Sequence, residues 1–101
     1  MNSIEITINS IGNNINIFID TINYKTKIND IEKEILKEKL NELIRIIRTW
    51  HPIYQNKSSK LDAETFIIKI NTNEGTDIIK GEGDFPNNYI EFKNWIGEFY
   101  E

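Results

Sequence analysis

The sequence contains no cysteine, which excludes a disulfide framework and any thiolate metal site. Histidine occurs once, at His51. A nucleophile needs a base, and Ser3, Ser10, Ser58 and Ser59 lie in strand-edge or loop settings without the sharp turn of a nucleophile elbow. A Ser-His-Asp site is therefore not expected. Next to Trp50 and Pro52, His51 reads as a residue that helps end a helix, since the position before proline avoids helical geometry. No apolar run approaches the ~18–20 residues that span a bilayer. The opening Met1-Asn2-Ser3-Ile4-Glu5 lacks the basic start and apolar run of a signal peptide, so a cytoplasmic protein without membrane contact is expected. Twelve basic residues face sixteen acidic ones, a net charge of -4. That balance opposes direct binding to nucleic acid phosphates.

The 101 residues, 39% hydrophobic and 11% aromatic, suit a single domain over 1–101 with a packed core. Isoleucine, asparagine and lysine dominate while alanine, proline and arginine are scarce. This is the mark of A+T-rich coding, which speaks to the host genome and not to mechanism.

Residues 4–9 alternate apolar and polar, as do 15–20, with Gly12-Asn13-Asn14 as the turn between them. The pair reads as an antiparallel hairpin. Tyr24, Thr26 and Ile28 form either a short third strand or a connecting loop. Asn29 suits a helix N-cap, with Glu32 as its capping-box partner. Leu36, Leu40, Leu43, Ile47 and Trp50 then share one helical face, and Ile31, Ile35 and Ile46 widen the stripe. Residues 55–60 form a polar loop. Phe66, Ile68 and Ile70 mark a strand, Asn73-Glu74-Gly75 a turn and residues 76–80 the returning strand. A loop over 81–86 leads to a second helix carrying Tyr89, Phe92, Trp95, Ile96 and Phe99 on one face, with Leu43 and Trp95 joining the helices to the sheet. The expected fold is α+β: an antiparallel sheet of four strands, or five with 24–28, both helices on one face, in the order ββαββα. The other sheet face, with Glu5, Thr7, Asn9, Asn16, Asp20 and Lys69, is expected in water, with Phe18 and Ile67 as its apolar exceptions.

Asp77, Glu82 and Asp84 are the carboxylates closest to a divalent-metal pattern, but their spacing matches no calcium loop. The Gly81-x-Gly83 pair carries acids that would repel phosphate. No metal and no cofactor are expected. Charge is the remaining signal. Residues 24–60 carry a local balance of +4 and residues 62–101 one of -6. An acidic surface of Glu74, Asp77, Glu82, Asp84, Glu91, Glu98 and Glu101 would steer association with a basic groove on a protein partner.

Leu61-Asp62-Ala63, the strand around Phe66, Lys80-Gly81 and Phe85-Pro86-Asn87-Asn88-Tyr89 with Phe92 resemble a set of small bacterial ββαββα-type proteins of no assigned activity. Their pattern runs Leu-Asp-Gly, a Trp-bearing strand, Gly and a Pro-x-Asn-Phe helix start. This chain departs from it at Ala63, Phe66 and Tyr89. The resemblance covers the last 40 or so residues and implies sheet-to-helix packing, with no catalytic residue. In general character the chain also looks like phage anti-CRISPR proteins or toxin-immunity proteins, which occupy a nuclease's channel or active site. The expected function is thus a non-enzymatic inhibitor that blocks a nucleic-acid-handling effector. The alternative is an assembly module that forms a homodimer through Ile31, Ile35 and Ile46.

Overall fold

The computed structural model describes residues 1–10, 12–55 and 64–100. The loop expected at 56–60, the Leu61-Asp62-Ala63 motif and Glu101 lie outside the described residues. The elements are β1 (Ser3–Ser10), β2 (Asn13–Asp20), β3 (Lys25–Ile28), β4 (Ile31–Glu34), α1 (Lys37–Ile47), β5 (Ile53–Gln55), β6 (Thr65–Thr72), β7 (Gly75–Glu82) and α2 (Tyr89–Tyr100). The strands form one sheet in the order β4-β3-β2-β1-β6-β7-β5. Every pairing is antiparallel except β5 with β7, which is parallel.

Because side chains alternate faces along a strand, the period-2 isoleucines of β1, β2 and β6 all point to one side. The register then aligns Ile28, Ile17, Ile6, Ile68 and Ile79 in a single row across five strands. All five are buried. The helices cover this face. Leu40, Leu43, Ile46 and Ile47 of α1 and Phe92, Trp95, Ile96 and Phe99 of α2 complete the core, with Leu43 at 0% and Trp95 at 3% exposure. At roughly 1.5–3 kcal/mol per buried aliphatic or aromatic side chain, this interface is the main source of stability.

Polar links fix how the layers meet. Asn88 precedes α2 and its carbonyl accepts the Phe92 amide. Its side chain donates to the Ile46 carbonyl at 3.0 Å and accepts the Trp50 indole N–H at 2.6 Å, tying the end of α1 to the start of α2. Trp95 donates to the Lys39 carbonyl at 2.8 Å. No basic residue lies in the last turn of α2. Lys33 reaches over from β4 instead, donating to the Phe99 carbonyl at 2.6 Å and lying 4.8 Å from the Phe99 ring centre. A cation there offsets the helix dipole and satisfies a terminal carbonyl.

The fold corrects the expected ββαββα sheet of four or five antiparallel strands: seven strands form a mixed sheet. Residues 25–28 are a strand. The largest revision falls at Asn29, which is no helix cap. Asn29 and Asp30 have φ of 45° and 74°, whereas an N-cap needs extended backbone. Two successive left-handed residues make a tight hairpin turn of type I′, so Ile31–Glu34 returns as β4. The Asn29 side chain accepts the Asn16 amide at 2.9 Å and its own amide donates to the Asn16 carbonyl, locking the turn onto β2. Helix α1 therefore starts only at Lys37, behind an exposed Leu36 with no side-chain cap. The seventh strand, β5, follows Pro52, which lacks a donor but whose carbonyl accepts the Lys80 amide at 2.9 Å.

The shared stripe of Ile31, Ile35 and Ile46 is corrected with it. Ile35 and Ile46 are core residues at 4% and 2% exposure, while Ile31 stands 71% exposed on β4. They present no common face to a second copy.

Gly81 carries a further constraint. The Phe66 ring lies where a Cβ on Gly81 would be, and that ring is hemmed in by Trp50, Tyr54, Phe85 and Tyr89. Gly81→Ala should therefore destabilise the protein by about 1–3 kcal/mol, read as a lower denaturant midpoint. An unchanged midpoint would show that the aromatic cluster can slide aside.

Candidate functional site

Among the described residues, one face of the sheet carries both helices and the other carries none, so the site begins with what the uncovered face displays. One row across it reads Glu32, Lys27, Phe18, Glu5, Lys69 and Ile78. The neighbouring row reads Glu34, Lys25, Asp20, Ser3, Asn71 and Thr76. Phe18 is 44% and Ile78 41% exposed, and Ile67 is half-buried on the same face. Polar side chains hold the middle: Asn71 donates to Ser3 at 2.8 Å and to Glu5 at 3.0 Å, and accepts the Thr76 hydroxyl at 2.8 Å. This face is therefore an ordered lattice of alternating charge with apolar side chains set into it.

Among the described residues no strand pairs with the outer side of β4, so the lattice has an open edge there. The Ile35 amide donates to the Tyr24 carbonyl at 3.0 Å. Antiparallel bonding alternates residue by residue, so Lys33 and Ile31 bond inward to β3. The amides and carbonyls of Glu32 and Glu34 consequently point away from the sheet. Both residues are exposed, and with Phe18, Asp20, Lys25 and Lys27 they line a shallow groove.

The acids expected to form one surface are dispersed. Glu74 lies in the β6–β7 turn, its amide donating to Thr72 Oγ1 at 3.2 Å. Asp77 lies opposite Ile70 on the helix side of β7, while Glu82 lies opposite Thr65 on the uncovered side. Five residues of strand separate these two, about 17 Å. Asp84 follows in the loop and accepts the Phe85 amide at 3.0 Å. Glu91 pairs with Arg45 at 2.9 Å and Glu98 with Lys39 at 2.8 Å, so these two charges are offset across the antiparallel helix pair. Among the described residues, no three His, Cys, Asp or Glu side chains converge on a point that could hold a metal ion.

His51 lies beyond the end of α1, exposed, with its ring centre 5.9 Å from that of Tyr54 and its amide donating to the Tyr54 hydroxyl at 2.8 Å. Tyr89 donates to Glu64 at 2.6 Å, and Lys93 pairs with the same carboxylate at 2.7 Å. Burial first, and then the bond to Glu64, hold the Tyr89 hydroxyl far above the ordinary tyrosine range. It stays a neutral donor that clamps α2 to the start of β6.

The groups that the sequence reading overlooked are Glu32, Glu34, Lys25 and Lys27, because residues 29–34 read as the start of a helix. The available signal was Asn29-Asp30 between Ile28 and Ile31, a dipeptide that tolerates left-handed backbone and so suits a two-residue hairpin turn. Ile53 and Ile78, 68% and 41% exposed, were also missed. Comparison with protein-family profiles, with curated proteins and with solved structures gives no match. Among the described residues, no helix is long and apolar enough to cross a membrane.

Asp20 anchors the corner of this face. The Asn23 side-chain amide, then the backbone amides of Asn23 and Ile22, donate to its carboxylate and hold its pKa below 3.8. A depressed pKa means the native state prefers the ionised form, so this stabilisation is present above pH 3.8 and is lost as pH falls through the lower native value. Asp20→Asn should thus melt at a lower temperature than wild type at neutral pH. The gap should close on acidification below that pH, and a gap independent of pH would show that the turn does not depend on the charge.

Proposed function

We propose that this protein works by binding another protein, without catalysis, through the uncovered face of its sheet. The observation that carries this reading is the exposure of Phe18 and Ile78 among cross-strand neighbours of opposite charge on a face that the helices leave open. Large apolar side chains set among rigid polar ones match the anatomy of an interface, where apolar anchors supply affinity and surrounding charges select the partner. The ladder fixes the backbone beneath these side chains, so binding need order only their rotamers.

A stoichiometric inhibitor is the form of action this surface suits, in the manner of anti-CRISPR or toxin-immunity proteins that cover a working surface of an effector. Asp77 lies on the helix side and takes no part in such a contact, whereas the charges of Glu74, Glu82 and Asp84, near the two ends of β7, would lie at its rim. There they would set encounter rates with a basic partner more than affinity. Glu91 and Glu98 lie on the helix layer with their charges matched, and they contribute least.

Affinity capture from cells of the source organism tests the reading, comparing wild type with Phe18→Asp and with Arg48→Glu on the helix layer. Phe18→Asp should lose the captured protein at least tenfold while its circular dichroism and melting temperature stay near wild type, and Arg48→Glu should retain it. Loss with Arg48→Glu and retention with Phe18→Asp would move the contact to the helices.

A further inference from the structure

We propose that the open edge of β4 is a strand-addition site for an extended basic segment of a partner protein, with lysine or arginine at alternate positions facing Glu32 and Glu34. The inference rests on the protein-binding reading and names the partner's chemistry. Three observations lead to it.

The first is the backbone. The outward amides and carbonyls of Glu32 and Glu34 offer two donors and two acceptors in strand register. An extended peptide laid alongside would continue the hydrogen-bond ladder.

The second is charge order across the sheet. From β2 to β4 the signs run Asp20, Lys25, Glu34 in one row, and Lys27, Glu32 in the next. Each carboxylate on β4 has a lysine on its inner side, and the position on its outer side lies open. A further strand that kept the alternation would place positive charges there. Opposite charges directly across a strand pair stabilise it, and like charges destabilise it.

The third is what the same charges forbid. A two-fold pairing of β4 with a second copy must set Glu32 against Glu34, Glu32 against itself or Glu34 against itself. Each choice opposes carboxylates, so the edge resists self-pairing, as exposed edges in monomeric proteins commonly do. The occupant is therefore a different chain of opposite charge. On the helix side of the strand, Lys33 is held by the Phe99 carbonyl and ring, while Ile31 stands 71% exposed. The segment that fits has two basic residues separated by one small residue over Lys33, flanked by an apolar residue beside Ile31.

Fluorescence anisotropy with two short labelled peptides tests this, one alternating lysine with valine and the other glutamate with valine. Wild type should bind the lysine peptide roughly tenfold or more tightly than the glutamate peptide. The double variant Glu32→Lys with Glu34→Lys should reverse that preference, and Glu38→Lys with Glu42→Lys, exposed on α1, should leave it unchanged. N-methylation of alternate peptide amides on the pairing edge should abolish binding, which a purely ionic contact would not require. Equal affinity for both peptides, survival of binding after N-methylation, or insensitivity to charge reversal at Glu32 and Glu34 would each overturn the proposal. Loss of partner capture with Phe18→Asp, beside any of these, would leave the protein-binding reading standing and remove only the edge.

Discussion

The row of isoleucines from Ile28 through Ile17, Ile6 and Ile68 to Ile79 is what the rest of the molecule depends on. β-Branched side chains fit the pleat and stack strand to strand. Because a one-residue slip would turn a whole strand's apolar set into water, the row also fixes the register of β2, β3, β6 and β7 around β1. Everything on the opposite face inherits that register. Phe18 lies beside Glu5 and Lys27 because Ile17 and Ile19 must face inward, so the lattice proposed to meet a partner is the reverse side of the core.

Legibility followed the strength of local pattern. The β1–β2 and β6–β7 hairpins and the aromatic face of α2 were readable because their periodicity is long and uninterrupted. Leu43 and Trp95 lie in the core as expected. Between residues 29 and 36, short-range signals conflicted. Asn29 followed by Glu32 mimics a capping box, and Ile31 and Ile35 keep helical spacing with each other. The turn won because Asn29 bonds to Asn16 and Lys33 reaches the end of α2, contacts distant in sequence. β5 was illegible for a related reason: a three-residue strand has no measurable period, and its parallel pairing with β7 is entirely tertiary.

The candidate site was legible in kind more than in place. Phe18 and the polar outward residues of β1 and β2 were readable from alternation alone. The sequence-level charge imbalance could not show that Glu91 and Glu98 would be offset by Arg45 and Lys39, nor that Asp77 and Glu82 would point to opposite faces. Conversely, residues 25–34 are rich in both signs. Strand geometry sorts those charges into rows, so that in the proposed strand addition the same carboxylates that oppose β4 pairing with itself would select a basic neighbour. Resistance to self-association and choice of partner would then arise from one arrangement.

Residue-resolved amide hydrogen exchange on the free protein tests most directly whether β4 is a strand with an open edge. The account predicts slow exchange at Ile31, Lys33 and Ile35, whose amides face β3, and fast exchange at Glu32 and Glu34 between them. Uniform protection through residues 31–35, or equally fast exchange at all five, would contradict it.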